Sequence, residues 1–310
     1  VTTTDSAELA HRVYARALDW LSATRSCFAL PDLPAYDLDL DTFKALAELA
    51  VAARIVMREA VAGPKAADTA RSLLDFGWHQ LRGGDLLYAM QQEMPPTTHV
   101  LETYSTFKAA GYEHPALERF LAHLQTARSA TGVELVPNRQ LGLVAACRRL
   151  GLPPHRDPAE LISRTWLGTL PEPWMFDAYN GYAMTHTVFH TTDFGENPAG
   201  LPEPLQDYLH RWLPAWVEVY AETKLWDLLG ELLIVGLCLS EPQFHPHAWA
   251  LLAAAQRADG MLPNGVTKPP DDPVRAWRNH HHPTVVVVIA GTMILSRVVS
   301  GALRPVGASA

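Results

Sequence analysis

The sequence predicts an all-α protein, and three observations carry that prediction. Apolar residues recur at helical spacing and do not alternate as in strands; Pro and Gly breaks cut the chain into about a dozen such segments; amphipathic segments alternate with segments apolar nearly all round. Leu9, Val13, Ala17 and Leu21 form the first stripe, Phe43, Leu46, Ala50 and Ala53 the second, and Leu73, Phe76 and Leu81 the third. Asp41, after the alternating Asp37–Asp41 stretch, is placed to cap the second helix. Breaks then fall at Gly83-Gly84, Pro95-Pro96, Gly111, 132–137, Pro153-Pro154, 171–173, 198–204, Pro242 and 263–273. Leu225 to Leu239 and Val285 to Leu295 read as helices buried on all sides.

A dozen helices joined in pairs by short loops is the count of an (α/α)6 toroid, whose inner ring would supply the wholly apolar members. A weak internal match, residues 114–125 against 245–256, points to a repeated helix-loop unit. The expectation is one toroid domain over residues 1–303 and a flexible tail at 304–310.

Composition narrows the function classes. Of the 310 residues 48% are hydrophobic and 19% charged, which suits a large core. A formal charge of −8 without a basic stripe argues against a nucleic-acid partner. No uninterrupted apolar run reaches a membrane span of about 18 residues. The three cysteines, Cys27, Cys147 and Cys238, stand far apart without a C-x-x-C pair, so a reducing, cytoplasmic setting is expected. Nothing in Val1 to Glu8 reads as a secretory signal. No phosphate loop, dinucleotide fingerprint or nucleophile elbow appears, so no nucleotide cofactor is expected.

The most informative stretch is 179–195, which sets His186, His190 and Asp193 at i, i+4 and i+7. On a helix these directions fall within about 40° and 20° of the first, so the three share a face. Such a face suits metal ligation or acid–base work, and Tyr179 and Tyr182 would wall it with hydroxyls. The plainer reading, in a chain with 14 histidines, is two half-buried helix residues and an acid near a Gly195 C-cap. Asp227 and Glu231, four apart in an apolar helix, are further ligands or a general base, or else are bonded partners of a nearby cation such as Lys224. In His280 to His282, Pro283 at a first helical position would make His282 a cap residue with a neutral ring. The Pro-rich loop 262–275 is either a lid or a rigid connector.

Gln256-Arg257-Ala258-Asp259-Gly260, followed by a loop and by His280-His281-His282-Pro283-Thr284 opening an apolar helix, resembles the terpenoid-cyclase and protein-prenyltransferase toroid superfamily. The resemblance implies a toroid and a zinc-binding histidine at His281 or His282; the cysteine ligand of those enzymes has no counterpart here. Leu74-Asp75-Phe76-Gly77-Trp78, Gly84-Asp85-Leu86-Leu87 and the TDFG motif Thr192-Asp193-Phe194-Gly195 resemble an uncharacterised bacterial family linked to specialised-metabolite gene clusters. That likeness implies an enzyme or a biosynthetic accessory protein.

The resulting expectation is an enzyme with a central cavity taking a small apolar or amphipathic substrate. Its metal set would be His186, His190, Asp193 and His282, holding zinc or iron, with Tyr182, Asp227 and Glu231 in catalytic roles. The alternatives are a metal-free acid–base cyclase or isomerase, and a non-catalytic scaffold that offers a groove to a peptide or carrier protein. Where the histidine face points discriminates between them.

Overall fold

Asp39, not Asp41, opens the second helix: its carboxylate accepts from the backbone N–H groups of Asp41 and Thr42 and from the Thr42 hydroxyl. The acid two residues earlier wins because it has the extended backbone a cap needs. The computed structural model describes residues 3–305 and is all-α, with fourteen α-helices among the described residues. In chain order these are α1 (Thr3–Ala23), α2 (Leu40–Glu59), α3 (Gly63–Gln80), α4 (Asp85–Glu93), α5 (His99–Ala109), α6 (Pro115–Leu124) and α7 (Arg128–Thr131). They continue as α8 (Pro137–Arg149), α9 (Pro158–Ser163), α10 (Ala178–Thr192), α11 (Glu203–Glu222), α12 (Trp226–Cys238), α13 (Pro246–Ala255) and α14 (Pro273–Val299).

Six of these helices touch in a closed cycle. α2 packs on α14, α14 on α12, α12 on α10, α10 on α8, α8 on α5, and α5 returns to α2. The others lie against them: α1 on α14, α3 on α2, α4 on α5, α9 on α8, and α11 on α12. The wholly apolar segments belong to the cycle, since α12 is buried at every position and α14 from Pro283 to Ile294. A helix with neighbours on both sides and an outer helix behind has little polar face to keep. By length and composition α14 could cross a membrane, but 67% of that stretch is buried in the fold, as a core helix is. Close approach is bought with glycine: a Cβ on Gly291 would stand 2.5 Å from Tyr14 Cβ where α1 crosses α14, and one on Gly230 2.7 Å from Val286 where α12 meets α14.

Three expectations need correction or refinement. His282 is not a cap residue: Asp272 caps α14, Pro273 is its first residue, and the helix runs on through Pro283. Packing against α1, α2 and α12 outweighs the roughly 3 kcal/mol that an internal proline costs. The loop 262–275 is pinned at its start, with Leu262 N–H donating to Thr284 Oγ1 and Asn264 N–H to His280 Nδ1, which makes that part a connector. Of the tail, Arg304–Pro305 (β2) pairs in parallel with Gln243–Phe244 (β1), while 306–310, like Val1 and Thr2, lie outside the described residues. The matched segments 114–125 and 245–256 became α6 and α13, each ten residues long, with proline in the first turn and histidine at the cap position.

His245, at the cap of α13, is buried and its Nε2 has no hydrogen-bond partner. Burial pushes its pKa down to about 4. The unfolded chain therefore binds a proton between about pH 6.5 and 4 that the folded one refuses. Stability is expected to fall across that window by about 3 kcal/mol from this residue alone. Urea unfolding at pH 7 and pH 4.5 checks it: His245→Asn should flatten the difference, and an unchanged pH dependence in that variant would refute the assignment.

Candidate functional site

Asp227 and Glu231 stand one turn apart on α12 and are its only charged residues. Facing them, α14 supplies His282, α10 supplies Tyr182 and Thr185, and α2 supplies Glu48. Asp177 starts α10 by accepting from Asn180 N–H, which sets the phase that turns Tyr182, His186 and His190 to one side.

His282 sits between acids. Its Nδ1 lies 2.9 Å from Glu48 Oε2, and its Nε2 lies 3.3 Å from Asp227 Oδ1 and 3.5 Å from Glu231 Oε1. The Tyr182 hydroxyl donates to Asp227 Oδ2 at 2.7 Å, and the Thr185 hydroxyl donates to Glu231 Oε2. One ligand atom from each of Asp227, Glu231 and His282 falls within 4.8 Å of the other two. Each of the three groups thus turns one atom inward while its other atom is held from behind, by Tyr182, Thr185 or Glu48. Asp227 Oδ1, although buried, makes no hydrogen bond and meets the His282 ring only as an ion pair.

Burial works against charge on the His282 ring, but Glu48, Glu231 and Asp227 overcome it and hold the ring protonated well above its usual range. Burial likewise opposes charge on Glu48 and Glu231, and the His282 cation more than offsets it, so both stay ionised. Asp227 goes the other way: burial raises its pKa, and Glu231 nearby adds to the rise. Burial also raises the Tyr182 phenol, with the Asp227 charge beside it. His282 is enclosed by the ring helices, yet its side chain keeps 32% of its exposure.

His186 and His190, both half-buried, lie with ring centroids 5.9 Å apart, and burial is the main cause that lowers the pKa of each. His190 Nε2 is buried without a partner. Asp193 is not with them. It ends α10 in the left-handed conformation, φ 45°, and its Oδ1 accepts from Arg54 at 2.9 Å and Arg149 at 3.0 Å. Burial resists its charge, and Arg54, Arg149 and Arg58 win. Arg58 also donates to the carbonyls of Asp193 and Phe194, and Arg297 to that of Gly195. The TDFG turn is therefore a helix C-terminus clamped by arginines, where cations suit the helix dipole. The helical spacing that groups Asp193 with the histidines ends at Thr192, and the left-handed residue swings its side chain away. Tyr179 is 80% exposed and forms no wall.

The three consecutive histidines have three different settings. His280 Nδ1 accepts from Asn264 N–H, His281 stacks on Trp277 at 4.8 Å, and His282 enters the acidic cluster. Gln256 is structural, donating to Val13 O and Gly260 O. Gly77 and Trp78 of the second resemblance pack on Phe107, and Asp85 pairs with His114. A cleft of about 720 Å³ lies elsewhere, among Thr97, His99, Leu124, Val133 and Val144, without any of the acidic cluster.

Sequence reasoning missed Glu48, Thr185, Glu102 and Arg139. Glu48 had a signal: its helical neighbours Ala45 and Ala52 belong to a buried face. Glu102 is the one charged residue between Val100 and Phe107, where every other side chain is buried.

A family model matches residues 14–292, a span from α1 into α14 that contains every residue of the cluster; its description is domain of unknown function (DUF6895). The chain belongs to the DUF6895 family. No curated protein and no solved structure matches it.

Proposed function

We propose that this protein is a metal-dependent enzyme whose site lies in the channel of an α/α toroid, with His282, Asp227 and Glu231 as ligands of one divalent ion. The toroid reading is supported by the closed cycle of six helices with others outside it. The observation that carries the metal is the convergence of the three ligand atoms within 4.8 Å. A histidine backed by a carboxylate is the usual outer arrangement at metal sites, and Glu48 provides it. One nitrogen and two carboxylate oxygens suit zinc or iron better than magnesium.

Bound there, such an ion would polarise a carbonyl or lower the pKa of a water molecule. The chain's own residues do the rest. Tyr182 and Thr185 hold the outer oxygens of Asp227 and Glu231, and neutral His186 on the adjoining turn of α10 is placed to accept a proton. The apolar character of α12 and α14 around the cluster favours a small apolar or amphipathic substrate. A metal-free acid–base reaction has one observation in its favour, the pKa of Asp227, which burial raises toward the range of a general acid.

Elemental analysis of protein purified without a histidine tag or chelator tests the proposal. About one zinc or iron per chain is expected. A folded, metal-free protein that takes up neither ion on titration would overturn the metal reading and leave Asp227 as an acid.

A further inference from the structure

The side of the cycle across from the acidic cluster is rich in arginine. In the cycle α2–α5–α8–α10–α12–α14, α5 stands across from α12 and α8 across from α14. Among the charged residues of these helices, Glu102 on α5 and Arg139 on α8 are joined by one bond of 2.7 Å from a terminal guanidinium nitrogen to Glu102 Oε1. Arg139 keeps 35% side-chain exposure, and no other bond to its guanidinium is found among the described residues. Most of its five donors are therefore unused.

The same wall is closely packed at a glycine. A Cβ on Gly142, one turn along α8 from Arg139, would stand 3.0 Å from Glu102 Oε2 and 3.2 Å from His190 Nε2. Glycine lets the carboxylate and the imidazole close on the α8 backbone, side by side with Arg139. His190 Nε2 has no partner there. Deeper, Arg54 and Arg149 share one oxygen of Asp193, and Arg54 Nε is buried without a partner. Cations outnumber the carboxylates that meet them on this side, and carboxylates outnumber cations on the other.

We propose that this wall is an oxyanion subsite, in which Arg139 and His190 hold a carboxylate or phosphate group of the substrate while its reacting end lies against Asp227, Glu231 and His282. The inference rests on the channel being the substrate site and narrows the substrate class to small amphipathic anions. An arginine fork matches either group, and its charged bonds are the strong ones. Glu102 competes for the same guanidinium, so it sets how much of the fork is available.

The test is thermal unfolding of chelator-treated and metal-loaded protein, titrated separately with inorganic phosphate and with malonate, in wild type, Arg139→Gln and Glu102→Gln. A saturable rise in Tm is expected from at least one anion in the metal-free wild type, with affinity reduced on the order of tenfold or more in Arg139→Gln. Glu102→Gln is isosteric and should strengthen the response, a change that loss of structure would not produce. Preference for malonate or for phosphate identifies the group. Absence of a saturable shift, or equal affinity in all three proteins, overturns the subsite. A shift that needs the metal and ignores Arg139 places the anion on the ion and overturns it too. An Arg139-dependent shift in a protein that takes up no metal would keep the subsite and remove the metal reading.

Discussion

His282→Ala is expected to bring bound metal from about one ion per chain to near zero, the largest functional loss of any single change in this protein. The ring supplies the nitrogen of the set, and its removal leaves Glu48, Asp227 and Glu231 facing one another without the cation that pairs them. Glu48→Gln separates the ligand from its support. It keeps the shape and a hydrogen-bond partner for Nδ1 but removes the charge, and a change at this distance from a metal weakens affinity by about 10- to 100-fold. The metal must also displace the proton that the three acids hold on the ring. Affinity should therefore climb with pH until His282 is deprotonated in the free protein, and should level off above that point. Competition with a chromophoric chelator at several pH values measures all three. Metal retained by His282→Ala at wild-type affinity would remove the site.

Asp193→Asn is expected to cost stability and leave the metal in place. Asparagine tolerates the left-handed backbone at this position, so the change isolates the charge. Without the carboxylate, Arg54 and Arg149 are two like charges beside an uncharged amide, with Arg54 almost wholly enclosed. Breaking a buried ion pair from one side costs about 3–5 kcal/mol, a large part of the roughly 5–15 kcal/mol that holds a domain together. Urea unfolding should show the loss, and the folded protein should carry the same metal content as wild type. Full stability with the metal gone would return Asp193 to the ligands and refute the reading of the TDFG turn as a clamped helix end. The Asp193 carboxylate also ties stability to pH: its pKa is lowered in the fold, so its contribution is present at neutral pH and fades as acid protonates it.

The all-α class, the apolar character of α12 and α14, and the grouping of Tyr182 with His186 and His190 or of Asp227 with Glu231 were legible in the sequence. They depend on helical periodicity, which relates residues three and four apart. That relation holds along a helix and stops at its end, which is why Asp193, one residue past Thr192, was grouped with the wrong partners. His282 drew attention beside a proline, but the proline marked the wrong helix start, because tertiary packing carries α14 through it. Glu48 and Arg139 were invisible as site residues, for their partners lie 234 and 37 positions away in the chain. Local pattern determined which faces exist. Only the closure of six helices into a cycle decided which faces look at one another, and with that which carboxylates share the His282 ring, since charge coupling acts through space and not along sequence.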